Sequence, residues 1–314
     1  MSETVYELTE FDSFRVYKRD DSNQFFHIEI NKSTFYRHLF DYFFSETNLL
    51  RYAENISSLE FQPSRKNYVT LYKWMRRFID EKNLIKSSDK LDEYLSSLFI
   101  QDGYLIDENH EMGVYLDKIG KIGEYFLHCL LSSYFKFDCI IPKAHFQTDF
   151  NMSVFGIDVI FYSCEKDLLL FGESKISRNI ENGINLINQS LKGYKKQLED
   201  EFILVLSNRL VSNTENIFSK KFGDKVDECI SFEQFIIEAN IKHIGIPIFI
   251  AHGKELSQDE IFEKLKRIKK ESFFGIQTEY YLITLPLIDK DIFIKEFTKY
   301  IKEKEEDYER KSQK

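Results

Sequence analysis

The sequence predicts an α/β fold: a mixed sheet flanked by helices, with a smaller α+β region at the N-terminus. Three observations predict it. Beyond residue 113, short apolar runs alternate with segments whose apolar residues recur at helical spacing. Two of those runs, 156–162 and 168–174, lie close enough to form a hairpin. The order helix, three strands, helix, strand then builds a mixed sheet with helices on its faces.

From the N-terminus, residues 13–18 and 24–30 read as aromatic strands around the turn-like Asp20-Asp21-Ser22-Asn23. Ser33 is placed to cap a helix through Tyr36, Leu39, Phe40 and Phe43. Helices over 68–82 and 89–100 follow. The polar stretch 101–113, with two glycines and four acids, marks a boundary. It separates 1–112, an α+β region suited to docking a partner, from a second region, 113–314. There a long helix is expected over 115–135 and a strand over 139–146. The hairpin strands 156–162 and 168–174 come next, joined by Cys164-Glu165-Lys166-Asp167. A helix over 180–198 and a strand over 202–206 follow them. Strands at 245–251 and 280–287 alternate with helices at 259–270 and 289–305. Residues 303–314 are charged at almost every position and are expected to fray or project into solvent.

Composition narrows the function. The chain has 314 residues, and its 43 basic against 52 acidic side chains give a charge of −9. An apolar share of 43% excludes wholesale disorder. No run of about eighteen residues is free of charge, which argues against a transmembrane helix and a membrane partner. The first ten residues carry three glutamates and no apolar run, so no signal peptide is expected. Four widely spaced cysteines favour free thiols in a reducing cytoplasm. The acidic balance argues against coating nucleic acid by bulk charge, but leaves room for a local basic groove. The 30 Phe and 18 Tyr are spread evenly, which suits core filling better than a base-stacking platform. No Walker loop, serine elbow or metal-ligand histidine spacing is present.

Chemistry concentrates in Phe155-Gly156-Ile157-Asp158 and Phe171-Gly172-Glu173-Ser174-Lys175. Alternation puts Glu173 and Lys175 on one sheet face. A symmetric hairpin centred between Glu165 and Lys166 pairs 158 with 173, so Asp158 faces Glu173 with Cβ atoms about 5 Å apart. Two carboxylates at that distance raise each other's pKa unless a cation lies between them. Oxygen ligands of this kind suit Mg²⁺ or Mn²⁺. Lys175 is then placed to orient water or to offset charge on a phosphate. A Lys–carboxylate pair on an exposed sheet face is the plainer explanation, weakened because Leu169 and Phe171 share that face. Glu124 lies on the apolar stripe Leu116, Gly120, Glu124, Leu127, Leu131, where an acid needs a partner. Gly120 and Gly123 beside it allow close backbone approach. The clusters Lys192, Lys195, Lys196 and Lys264, Lys266, Arg267, Lys269, Lys270 read first as solvated surface. His128 and His145 read as packed or hydrogen-bonded side chains.

Gly-x-Asp, about fifteen residues and Glu-x-Lys, preceded by a helical glutamate, resembles the PD-(D/E)xK nuclease superfamily. With Lys121-Ile122-Gly123-Glu124-Tyr125 and Pro142-Lys143 added, the pattern over 117–208 resembles the HamA nuclease subunits of bacterial Hachiman anti-phage systems. That resemblance implies a restriction-endonuclease-like fold over 113–314 and metal-dependent hydrolysis of DNA. It implies that Glu124, Asp158 and Glu173 place a Mg²⁺ or Mn²⁺ and that Lys175 is the catalytic lysine. It also implies a superfamily 2 helicase partner, HamB-like, that holds the nuclease quiet until infection. An inactive nuclease-fold scaffold and a stand-alone restriction or repair nuclease are the alternatives. One departure stands out: relatives carry Gln-x-x-x-Tyr on the helix after Glu-x-Lys, whereas Gln189 and Tyr194 are five apart. Gln189 therefore reads as a surface polar residue.

Overall fold

A computed structural model describes residues 7–11, 14–20, 24–30, 35–56, 58–81, 104–106, 112–142, 156–203, 217–253, 256–288 and 290–314. Strands β1 (Glu7–Phe11), β2 (Phe14–Asp20) and β3 (Gln24–Ile30) lead into helices α1 (Phe35–Phe43), α2 (Glu46–Glu54) and α3 (Arg65–Met75). Short strands β4 (Asp80–Glu81), β5 (Tyr104–Ile106) and β6 (Met112–Tyr115) form a small sheet of their own. Helix α4 (Leu116–Cys129) ends in a π-helical turn, Leu130–Tyr134, and is followed by β7 (Asp138–Pro142), β8 (Val159–Ser163) and β9 (Leu168–Ser177). Helices α5 (Ile180–Leu191), α6 (Tyr194–Glu201), α7 (Ile217–Glu228) and α8 (Phe232–Glu238) precede β10 (His243–Gly253). Helix α9 (Gln258–Leu265), strand β11 (Gln277–Ile288) and helix α10 (Lys290–Ser312) complete the described elements.

The mixed α/β sheet expected from the sequence is present. Among the described residues it has eight strands, ordered β1-β2-β3-β11-β10-β9-β8-β7. The four central strands β3, β11, β10 and β9 run parallel, and the outer pairs are antiparallel. Strand β10 is buried from Ile244 to Gly253, as a parallel strand covered on both faces must be. It nevertheless contains Pro247, which has no N–H to give. The β9–β10 pairing skips Phe171 and Gly172, opposite Ile246 and Pro247, and resumes in the same register at Ile248↔Glu173.

Helices cover both faces. Leu169 and Phe171 point into a core shared with α5 to α9, whereas Leu168 and Leu170 point into one shared with α1 to α4 and α10. Asn179 and Ser257 start α5 and α9 by accepting backbone N–H bonds, the latter within a capping box.

Strands from both sides of position 113 share the large sheet, because β3 pairs with β11. Several expectations are corrected. Within 101–113, Tyr104–Ile106 and Met112–Gly113 are strand, and the helix expected over 89–100 lies outside the described residues. The helix expected to reach 82 ends by Met75, and Asp80–Glu81 pair with β6 instead. The helix over 180–198 breaks at Lys192-Gly193 into α5 and α6. Phe202 and Ile203 continue helically rather than opening a strand.

The largest correction concerns the charged C-terminus. Helix α10 runs to Ser312, and its Tyr308 is fully buried. Phe293, Phe297, Tyr300, Ile301 and Tyr308 continue one apolar stripe beneath the charges. The Tyr308 hydroxyl donates to Glu46 at 3.1 Å, Lys304 pairs with the same carboxylate at 2.9 Å, and Arg76 reaches Glu305 at 2.8 Å. Tyr308→Ala is therefore expected to cost about 3–5 kcal/mol in urea unfolding, the range for losing a buried aromatic ring. A frayed tail predicts no change.

Candidate active site

The β8–β9 hairpin supplies the site. Its register runs from Ser163↔Leu168 to Val159↔Gly172, and Asp158 is the residue just before β8, so the expected 158–173 pair is not a rung of the ladder. Asp158 N–H donates to the Gly172 carbonyl at 3.0 Å. The Asp158 side chain bends toward β9, where Oδ2 accepts from the Ser174 N–H at 2.7 Å and the Ser174 hydroxyl at 3.0 Å.

Glu173 is 3% exposed. Lys175 donates to its Oε1 at 2.6 Å, while its Oε2 is buried with no hydrogen-bond partner. Burial and then the Asp158 charge push the Glu173 carboxyl up to about 7, against Lys175 and the Ser190 hydroxyl of α5, which oppose the rise. Burial alone would lower the Lys175 ammonium. The charges of Glu173, Asp158 and Glu124 outweigh that and hold it above its ordinary value.

Glu124 comes from a different element. It lies on α4, with its side chain 14% exposed, and its Oε1 accepts from buried Lys121 at 2.9 Å. Its charge reaches Lys175, but among the described residues no three His, Cys, Asp or Glu side chains gather as a metal-ligating group. The structure thus brings Asp158, Glu173 and Lys175 together, while Glu124 is bonded to Lys121 and acts on Lys175 through its charge. Of the two glycines, Gly123 is the one in close approach. A Cβ there would lie 3.1 Å from Ile176 and 3.4 Å from Ser174 Oγ, whereas one at Gly120 would meet nothing within 4 Å.

The donor set fits a divalent cation at two carboxylates. A buried oxygen without a partner beside a second carboxylate is the environment a hard cation completes. Asp158 and Glu173 are the residues that would hold it.

Two contributors escaped the sequence reading. Alternation turns Ser174 to the face opposite Glu173, yet its N–H and hydroxyl hold Asp158. Glu201 is 4% exposed, and its Oε1 accepts from the Ile157 N–H at 3.2 Å. Its signal was present in Tyr194, Leu198 and Glu201, a helical stripe that ends in an acid. Tyr194 itself is buried and donates to the Phe171 carbonyl at 2.9 Å, a packing role, while Gln189 is exposed.

Other candidates take ordinary places. Buried His128 packs edge-on against Tyr52 and Phe161, and Lys143 and His145 lie outside the described residues. All four cysteines are free. Lys264 pairs with Glu181 and Lys266 with Glu263, while Lys195 and Lys270 lie over the rings of Phe274 and Phe25.

Fold and site together define a mixed-sheet α/β protein with the Asp and Glu-x-Lys arrangement on one hairpin. The family model described as HamA matches residues 5–301. The chain belongs to the HamA family, and so to the components of Hachiman anti-phage defence. No curated protein and no solved structure matches it. Among the described residues no helix is long and apolar enough to cross a membrane.

Glu173 sets a pH test. Its folded pKa lies above the ordinary 4.5, so its contribution to stability is full below that value and lost as pH rises through about 7. Glu173→Gln escapes that loss. In urea melts with EDTA, the stability of the variant relative to wild type is expected to grow from about pH 4.5 to 7 and then level. A difference that stays flat over this window contradicts the assignment.

Proposed function

We propose that this HamA-family protein hydrolyses DNA phosphodiesters with Mg²⁺ or Mn²⁺ held by Asp158 and Glu173. The observation that carries the reading is the buried Glu173 carboxylate, which feels the Asp158 charge, is bonded through Oε1 to Lys175 and has an Oε2 with no hydrogen-bond partner. A divalent cation there would supply Lewis acidity, lowering the pKa of water and neutralising charge on the scissile phosphate. Lys175 holds a positive charge beside the reacting phosphate and offsets the charge that develops in the transition state. Ser174 keeps Asp158 from swinging away. Burial of Glu173 excludes bulk water, which strengthens each of these interactions. Glu124, tied to Lys121, supports Lys175 by its charge.

The remaining parts of the proposal follow from charge and family. A chain of charge −9 repels DNA, so weak and salt-sensitive unaided binding is expected, with delivery by a partner. We assign that role to a superfamily 2 helicase, HamB-like, which restrains the nuclease in the cytoplasm until infection perturbs DNA. An inactive scaffold has no use for two facing acids, one of them with a buried unsatisfied oxygen.

With its helicase partner and Mg²⁺ or Mn²⁺, the wild-type chain is expected to degrade DNA, and EDTA to stop it. Glu173→Ala combined with Lys175→Ala is expected to lower the cleavage rate by on the order of 10²-fold or more. A double variant that cuts as fast as wild type overturns the site.

A further inference from the structure

We infer that Glu201 is the positioning residue for Asp158: its carboxylate holds the backbone from which Asp158 enters the site. The geometry stands by itself, and its consequence for activity rests on the nuclease reading above.

Glu201 closes α6, the second helix after the Glu-x-Lys strand, and is 4% exposed. Its Oε1 takes the Ile157 N–H at 3.2 Å. Ile157 is fully buried, so without Glu201 that N–H has no water to turn to. The preceding Gly156 has φ +116°, a conformation that side-chain-bearing residues rarely adopt. The chain therefore turns at Gly156 and is caught at once by Glu201. The residue after the catch is Asp158, whose own N–H bonds to Gly172 O at 3.0 Å.

Two successive amides are thus anchored to different elements, Ile157 to α6 and Asp158 to β9. The direction in which the Asp158 side chain leaves the backbone is set between those two bonds. Ser174 then fixes Oδ2 at 2.7 and 3.0 Å, contacts that are reachable only from that backbone position. Glu201 also lies near the paired acids. After burial itself, the charges of Glu173, Asp158 and Glu201 all act to raise the buried Tyr194 hydroxyl. A carboxylate next to two others adds repulsion, so its retention at this point fits the hydrogen bond it makes. In this arrangement Glu201 acts through the backbone that carries Asp158.

The test uses three full-length variants. Glu201→Gln keeps an acceptor oxygen at the same reach. Glu201→Leu removes it, and Glu201→Asp draws the carboxylate back by one methylene while keeping the charge. Three readouts are compared: amide hydrogen exchange at Ile157 and Asp158, Mn²⁺ affinity by calorimetry, and DNA cleavage. The Leu and Asp variants are expected to exchange faster at both amides and to lose on the order of 10–100-fold in Mn²⁺ affinity and cleavage. Glu201→Gln is expected to keep wild-type values in all three, a rescue that packing alone does not produce. Should the Leu variant fail to fold, Glu201→Asp decides. Wild-type exchange and Mn²⁺ affinity in the Asp variant overturn the inference. If wild type binds no Mn²⁺ and cuts nothing, the nuclease reading fails. Exchange at Ile157 and Asp158 then decides positioning: faster in Glu201→Asp sustains it, unchanged overturns it.

Discussion

Everything about the site follows from placing two carboxylates at one end of a hairpin and burying one of them. Asp158 and Glu173 carry two negative charges against the single positive charge of Lys175, and Glu173 has almost no contact with water. The arrangement has two physical resolutions. Glu173 can take up a proton, which is why its carboxyl is pushed up to about 7. Alternatively, a cation can supply the missing charge beside the buried Glu173 Oε2.

The rest of the fold serves to maintain that unfavourable pairing. Parallel strands covered on both faces hold β9 rigidly and keep water from Glu173. Helix α4 presses on β9 from one face, closest at Gly123, where Ser174 and Ile176 lie. Helix α6 reaches the turn before Asp158 from the other side through Glu201. Each contact removes a direction in which repulsion would otherwise push the two acids apart. The N-terminal strands and α1 to α3 belong to this same structure: β3 extends the sheet, and the helices pack in one core with α4 and α10.

The hairpin was legible in the sequence because a four-residue turn between two apolar runs fixes register by symmetry alone. Once Ser163 pairs with Leu168, the register follows by counting as far as Val159 and Gly172, which brings Asp158 and Glu173 to the same end of the hairpin. Glu124 was legible as an acid on an apolar stripe, but its partner Lys121, one turn earlier, was not recognised. Glu201 gave the same kind of stripe signal, and its target is an amide that no side-chain pattern reveals. The charged end of α10 misled for a related reason. Charge dominates its composition, while Tyr308 finds its place only through contact with Glu46 far away in sequence. Helix α2 went unseen, although Ser45 caps its start and Asn55, at φ 54°, ends it in the left-handed region. Local chemistry was thus readable wherever register or spacing set it. It was hidden wherever a distant backbone group or a tertiary contact did.

The central claim is that the Asp158–Glu173 pair is a divalent-cation site, and anomalous scattering from crystals soaked in Mn²⁺ tests it most directly. The account predicts a manganese peak within coordinating distance, about 2.0–2.3 Å, of carboxylate oxygens from both Asp158 and Glu173. It also predicts that Asp158→Asn crystals soaked in the same way lose that peak. Crystals that diffract well and show no manganese between these two residues, or that bind it only elsewhere, would contradict the account.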